Sequence, residues 1–368
     1  MAGGRAGVAD LCGPGFLTEA DLSELKTALA REARALGFDA CGVARADRFP
    51  RLAALAGWIE QGYAGEMTYL AESLDERLDP RVFLPTARSV ISLACVYNTP
   101  DAHPASDVPS GSAVIARYAG GDDYHDVMRA RVHALVTWMA AEAGPGLEAL
   151  SCVDDGPMQE RVFAEQAGIG WIGKNTCVIS PSLGSWLFLA EIVTNAELEP
   201  DTPAVDQCGT CTRCLDACPT GAIVAPYVVD ATRCLSYLTI ETRGAVDEAL
   251  RPAVSREIFG CDVCQEVCPW NRRASVSSDT AWQPREPARH APIVDWCRRS
   301  DDDWRARVKG SAMRRAGLRR IRRSLAYAAA SLPPDERAPA LDALASHPSG
   351  ADPLVRDAIL WARSREMG

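Results

Sequence analysis

Eight of the fourteen cysteines lie within sixty-one residues, between Cys208 and Cys268. The first group is Cys208-Gly-Thr-Cys211-Thr-Arg-Cys214-Leu-Asp-Ala-Cys218-Pro219, and the second is Cys261-Asp-Val-Cys264-Gln-Glu-Val-Cys268-Pro269. The C-x2-C-x2-C-x3-C-P run holds iron–sulfur cubanes: three thiolates converge on one cube and the fourth reaches over to another. By that logic Cys208, Cys211, Cys214 and Cys268 serve one [4Fe–4S] cluster. The second keeps Cys218, Cys261 and Cys264 and needs one more thiolate, and Cys234, between the two groups, is the candidate. Structural zinc is the competing chemistry. It pairs two C-x2-C knuckles across a spacer and has no need of a triple run or of two Cys-Pro ends. Two clusters in a chain of 368 residues imply a wire for single electrons that feeds a further centre.

The remaining cysteines, Cys12, Cys41, Cys95, Cys152, Cys177 and Cys297, are scattered and are expected to be buried small hydrophobes. The N-terminus carries neither a long apolar stretch nor an Arg-Arg pair, so export is not expected and the cytoplasm is the expected compartment. No apolar run is long enough to cross a bilayer, so no membrane partner is expected. A cytoplasmic setting argues for metal and against a disulfide framework. The net charge of −10 argues against nucleic acid as a partner of the whole surface. Locally the balance reverses: from Arg298 to Arg323 eleven Lys or Arg face three Asp. Such a patch binds phosphates even on an acidic protein.

Residues 1–15 read as a disordered leader. Thr18 and Asp21 suggest a helix start, with Leu22, Leu25 and Leu29 as its apolar stripe and Gly37 beyond its end. Strands are expected at 39–44, 89–97, 150–153 and 186–194, and helices at 51–62, 122–143 and 158–167. Helices that alternate with strands predict an α/β layer over residues 16–205. A Pro/Asp/Glu-rich linker at 197–205 precedes an α+β, bacterial-ferredoxin-like two-cluster domain over 206–280. Residues 281–368 read as an all-α, helical-repeat-like element, with helical pattern at 302–331 and 334–365.

Four further motifs stand in order along the chain. They are Arg117-Tyr118-Ala-Gly-Gly-Asp-Asp123-Tyr124-His125, Val153-Asp154-Asp155-Gly156-Pro157-Met158-Gln159-Glu160-Arg161, Ala167-Gly-Ile-Gly-Trp-Ile-Gly-Lys174-Asn175-Thr176 and Cys234-Leu-Ser236-Tyr237-Leu-Thr-Ile-Glu241. Together with the isolated Cys234 they resemble the epoxyqueuosine reductases, over roughly residues 20 to 365. The resemblance implies kinship with cobalamin-dependent reductive dehalogenases. It implies an N-terminal cobalamin-binding domain, a two-[4Fe–4S] domain and a C-terminal element that holds tRNA. The implied reaction removes the epoxide oxygen of epoxyqueuosine at the tRNA wobble position, the last step of queuosine biosynthesis, with cob(I)alamin as nucleophile. A low-potential donor such as a flavodoxin or ferredoxin would supply the electrons to a monomeric enzyme.

By motif match Asp154 is the general acid, and burial is expected to keep its proton on. The same match places Arg77, Asp154, Lys174, Asn175, Ser236 and Asp262 at the corrin, and Arg314, Arg315, Arg319 and Arg322 at tRNA phosphates. Asp123-Tyr124-His125 begins a D-x-H-x-x-G cobalamin-ligand signature, but Met128 occupies its glycine position, so His125 is expected to be a packed or substrate-side residue. Asp155 and Arg323 depart from the family pattern. Two other readings remain open: a cobalamin reductase of a small molecule, and a ferredoxin-type electron-transfer subunit.

Overall fold

The computed structural model describes residues 19–100, 109–285 and 291–365. The expected leader and the Thr18 helix start lie outside the described residues. Helix α1 (Glu19–Ala35) buries Leu25, Leu29 and Ala33 against the main core, and Gly37 follows it in the left-handed conformation at φ 91°. The spacing of those three residues is the one-face repeat of a helix.

The central sheet has four strands: β1 (Ala40–Arg45), β2 (Ser89–Val96), β3 (Ala149–Cys152) and β4 (Leu187–Thr194). Its order is β1-β2-β4-β3, and every neighbouring pair is antiparallel. The alternation of helices and strands suggested an α/β layer, in which parallel strands are the rule. Here long connections through helices return the chain to antiparallel neighbours, so alternation along the sequence does not settle strand direction. Strands β2 and β4 are buried almost throughout. Ile91, Leu93 and Cys95 face the large core with α1 and α2 (Tyr124–Ala143), whereas Val90 and Ala94 face α3 (Glu160–Gln166). This two-residue alternation lets one strand serve two layers.

Helix α2 presents Tyr124, Met128, Val132, Leu135 and Met139 to the core. Met128 is fully buried, which accounts for the lost signature glycine: the position packs the core. Asp123 caps the helix by accepting the His125 amide, and Gly144 ends it at φ 82°. The segment after the last of the clustered cysteines carries the buried Trp282, which packs on Phe188 of β4. One contiguous apolar core runs from Leu25 to Ala362, with the sheet, the cysteine segment and the C-terminal helices all contributing.

The C-terminal helices include α4 (Gly317–Ala329), α5 (Pro334–Ser346) and α6 (Pro353–Ser364). The expected helix over 302–331 is broken by a 3-10 turn at Ala312–Arg315. Two arginines of α4 are wholly buried. Arg322 donates to Asp301 at 2.9 Å and to the carbonyls of Cys297 and Arg299, while Asp301 also accepts from the Ser349 amide and hydroxyl. Arg323 donates to the carbonyls of Leu238, Thr242 and Gly244. The expectation that Arg322 meets tRNA is therefore overturned: its two terminal amino groups tie helices together inside the protein. Composition counts charge and cannot see which face of α4 turns inward.

Removing one member of a buried ion pair leaves the other uncompensated. Arg322→Ala is expected to lower unfolding free energy in urea by about 3–5 kcal/mol. A loss below about 1 kcal/mol, the size of a surface pair, would contradict this role.

Candidate active site and metal centres

The cysteine segment wraps against the sheet domain. Its first thiols follow the docked linker: Asp201 accepts from Lys26 Nζ and the Val43 amide, both at 2.8 Å. Short helices Arg213–Ala217 and Val263–Glu266 carry the x3 steps of the two motifs. The thiols fall into two neighbourhoods. Burial pushes Cys214 up to about 11, and the Cys208 and Cys268 thiols add to the effect. Burial also raises Cys268, with Cys208 and Cys211 among its neighbours. In the other neighbourhood burial raises Cys234 beside Cys218, and burial raises Cys261 beside Cys234. The Cys264 and Cys177 thiols are free and adjoin each other, and Cys264 lies near Cys261 and Cys234.

The surroundings suit sulfur-rich groups. Trp171 is buried, points Nε1 at Cys208 Sγ at 3.5 Å and packs edge-on against Trp270. The Ala222 amide donates to Cys218 Sγ at 3.2 Å. Lys174 donates to the carbonyls of Gly209 at 2.7 Å and Cys211 at 3.0 Å. Buried Asn175 donates to the Cys264 carbonyl at 3.2 Å. Lys174 and Asn175 thus brace the thiol loops. Cys177, expected to be a plain hydrophobe, touches Cys264 and stands near both neighbourhoods.

Beside the second neighbourhood lies a polar site built from distant segments. The loop after β3 carries Asp154 in the left-handed conformation at φ 56°, which Asp tolerates better than most residues. Its carboxylate accepts from the Tyr124 hydroxyl, and His125 Nε2 stands 3.8 Å away. The side chain is 61% exposed, so the expected burial of this acid is not met in this structure. Asp155 turns aside: it accepts the Val153 amide and pairs with Arg129 at 2.7 Å. Despite partial burial, these bonds lower its pKa. The Asp155 departure therefore braces the loop.

Tyr69 lies within 6.0 Å of both Arg77 and Arg315, and Arg315 forms a two-pronged pair with Glu241 at 2.9 and 3.1 Å. Burial raises the Tyr69 hydroxyl, and Glu241 and Asp154 are among the charges it senses. Burial likewise raises Tyr118, which senses Asp154, Asp262 and Glu241. Arg77 donates to Ser73 Oγ at 2.9 Å, and Gln159 donates to the Arg77 carbonyl at 2.9 Å. Asp262 is buried and accepts the Arg117 amide at 2.8 Å. The half-buried Ser236 lies two residues after Cys234. Arg77, Asp154 and Asp262 thus share one neighbourhood. Tyr69, Tyr118, Tyr124 and the Arg315–Glu241 pair join it, and sequence reasoning gave none of them this role. Tyr118, Tyr124 and Glu241 were visible only as motif letters. Arg314 is exposed, Arg315 and Arg319 are more than half exposed, and Arg319 pairs with Asp352 at 3.2 Å.

Two family models match the chain. One, described as a 4Fe-4S double cluster binding domain, covers residues 207–271, and the other, described as "Epoxyqueuosine reductase QueG, DUF1730", covers residues 77–155. The chain is 40% identical over 353 residues to the epoxyqueuosine reductase of Pseudomonas aeruginosa, covering 95% of this chain and 96% of the relative. It is 37% identical to that of Escherichia coli, covering 94% and 91%. A Bacillus subtilis epoxyqueuosine reductase structure superposes with a TM-score of 0.80 at 30% identity, covering 92% of this chain and 89% of that one. An epoxyqueuosine reductase solved with an epoxyqueuosine-modified tRNA stem loop superposes with a TM-score of 0.77 at 29% identity, covering 94% and 95%.

Lys174→Met removes the charged donor from two carbonyls of the first thiol loop. Amide exchange across residues 208–214 is expected to rise roughly tenfold, the equivalent of one charged hydrogen bond. Unchanged exchange would show that the loop holds itself.

Proposed function

The chain belongs to the epoxyqueuosine reductase family, and we propose that it reduces epoxyqueuosine to queuosine at the wobble position of tRNA, using cobalamin and two [4Fe–4S] clusters. It is an oxidoreductase. The observation that carries the reading is the exposed Asp154, held by Tyr124, beside a double-cluster segment in a chain that matches the family nearly end to end. The reaction breaks both C–O bonds of the epoxide and forms a carbon–carbon double bond and water. It takes up two electrons and two protons.

Cys208, Cys211, Cys214 and Cys268 would hold one cluster, and Cys218, Cys234, Cys261 and Cys264 the other. The two thiol neighbourhoods divide along these lines. Amide and indole hydrogens on the sulfurs tune such centres. Cobalamin, when bound, supplies the carbon-directed two-electron chemistry that no side chain offers. The site fits a large ligand rich in amides: Tyr69 gives an exposed ring, Arg77 and Arg315 give donors, and Asp262 and Ser236 lie on the cluster side. Lys174 and Asn175, also assigned to the cofactor side, brace the thiol loops next to it.

Asp154 protonates the departing oxygen. A nucleoside seated over the site would exclude water from this carboxyl, the condition under which an acid keeps its proton. The solved Bacillus subtilis relative is described with a catalytic aspartate loop swung out of the active site, and an exposed Asp154 loop is suited to a comparable movement here. Arg314, Arg315 and Arg319 form the exposed basic face that would meet tRNA phosphates, a contact that weakens with salt. We further assign a monomeric, cytoplasmic enzyme served by a low-potential flavodoxin- or ferredoxin-type donor. Among the described residues no helix is long and apolar enough to cross a membrane.

Anaerobic protein supplied with cobalamin and a low-potential reductant should convert epoxyqueuosine in tRNA to queuosine, read as the loss of one oxygen by nucleoside mass spectrometry. No conversion with both cofactors bound would overturn the reading. Asp154→Asn should bind cobalamin normally yet lose turnover by about 10²–10⁴-fold, the usual worth of a general acid; near-normal turnover would remove Asp154 from that role. Cys234→Ala should halve the iron bound per chain, and full iron would refute its place as a ligand.

A further inference from the structure

Electrons for the reaction come from outside the chain, so one of the two thiol sets has to be reachable by their carrier. The second set adjoins the polar site, with the buried Asp262 between Cys261 and Cys264. The first set has an open flank. Cys208 and Trp270 pack on a small apolar cluster of Trp171, Ile179 and Cys268. Two exposed segments carry them: the loop 205–213, and the 3-10 turn Pro269–Arg273. In the loop, Gly209 takes the left-handed conformation at φ 53°, and a side-chain carbon there would meet nothing within 4 Å. The backbone next to Cys208 is thus open to close approach by another surface. Val205 is 75% exposed beside Ala204, which packs on the cluster.

The charges on this flank are unspent. Arg213, Arg272 and Arg273 are exposed, and none of them has a hydrogen-bond or ion-pair partner among the described residues. The acids of the same stretch are already bonded: Asp206 to the Cys208 amide and the Tyr227 hydroxyl, and Asp216 to Thr212 Oγ1. With Lys174, which donates to the Gly209 and Cys211 carbonyls, four cations stand against two acids on a chain of net charge −10. The tRNA phosphates are assigned to arginines on other elements. Arg315 pairs with Glu241 beside the second set, and Arg319 pairs with Asp352 of the C-terminal helices. A carrier must instead bring its redox centre close to the thiols. Arg213 precedes Cys214 directly, and Arg272 and Arg273 follow Cys268 by four and five residues.

We propose that loop 205–213 and the turn Pro269–Arg273 form the docking surface of the electron carrier, a small acidic one-electron protein that seats on Arg213, Arg272 and Arg273 around Val205, and that electrons enter through the first cluster. The inference rests on the two-cluster reading of the cysteines. Each docking event oxidises the carrier by one electron and reduces the first cluster by one. Two events supply one turnover, and no bond in this chain forms or breaks. Redox encounters use small interfaces and take their speed from charge at the rim, so the contact is weak and screened by salt.

The probe is an acidic flavodoxin, oxidised so that it binds without reacting, titrated into the anaerobic holoenzyme. Binding is expected at low ionic strength and should weaken steeply with added salt. Arg213→Glu, Arg272→Glu and Arg273→Glu together should weaken it at least about tenfold, with iron content and tRNA affinity unchanged. Arg272→Glu with Arg273→Glu leaves the first cysteine motif untouched. It should show a smaller loss of the same kind, and it carries the test if the triple variant binds less iron. In turnover both variants should need more flavodoxin for half-maximal rate, while the rate driven by dithionite stays native. Equal flavodoxin binding by native and variant chains would overturn the proposal, as would a native chain that binds neither an acidic flavodoxin nor an acidic ferredoxin. Loss of tRNA affinity in the variants would also overturn it and give this flank to RNA. Flavodoxin bound through these arginines, with epoxyqueuosine left unconverted under dithionite, would uphold the docking surface and count instead against the substrate reading.

Discussion

Cubane ligation requires thiolates from separated stretches to meet at fixed points, and the rest of the molecule is arranged to deliver them. Cys268 comes back to the neighbourhood of Cys208, and Cys234 reaches that of Cys218. The segment between them therefore cannot drift from the sheet domain. It is fastened by Trp171 and Asn175 on one side and by Arg117, which bridges Asp262 and Asn98 while stacking over Trp186 at 4.2 Å, on the other. A buried guanidinium with that many partners is costly to lose, so the electron-carrying segment and the sheet behave as one body.

The same economy governs the proposed acid. In that role Asp154 must be reachable by a large substrate and yet aimed, two demands that a free loop cannot meet together. Tyr124 and Glu160 hold it at the side chain and at the amide, and Asp155 with Arg129 holds the turn behind it. Packing of the sheet and placement of the acid are in this way one problem.

Much of this was legible in the sequence because it is local. Cysteine spacing encodes which thiols can share a cube, and the apolar stretch Ser89–Val96 can only be an inner strand. The motif around Asp154 marked it as the candidate acid through family resemblance. What escaped is tertiary. Strand direction depends on where a connection returns, so alternating elements suggested a layer whose strands in fact all run antiparallel. Arg322 and Arg323 counted as surface charge until the inward face of α4 showed them bound to carbonyls and Asp301. Glu191 was hidden by its own setting: one acid in an apolar strand carries no pattern, and its partner Ser92 lies on another strand. Cys177 was hidden likewise, since nothing in its flanks announces sulfur neighbours.

The most direct test of this account is the iron and acid-labile sulfide content of the native chain purified without oxygen. Two cubanes predict about eight of each per chain. About four, or zinc in place of iron, would contradict the division of the eight cysteines into two sets and the electron path built on it.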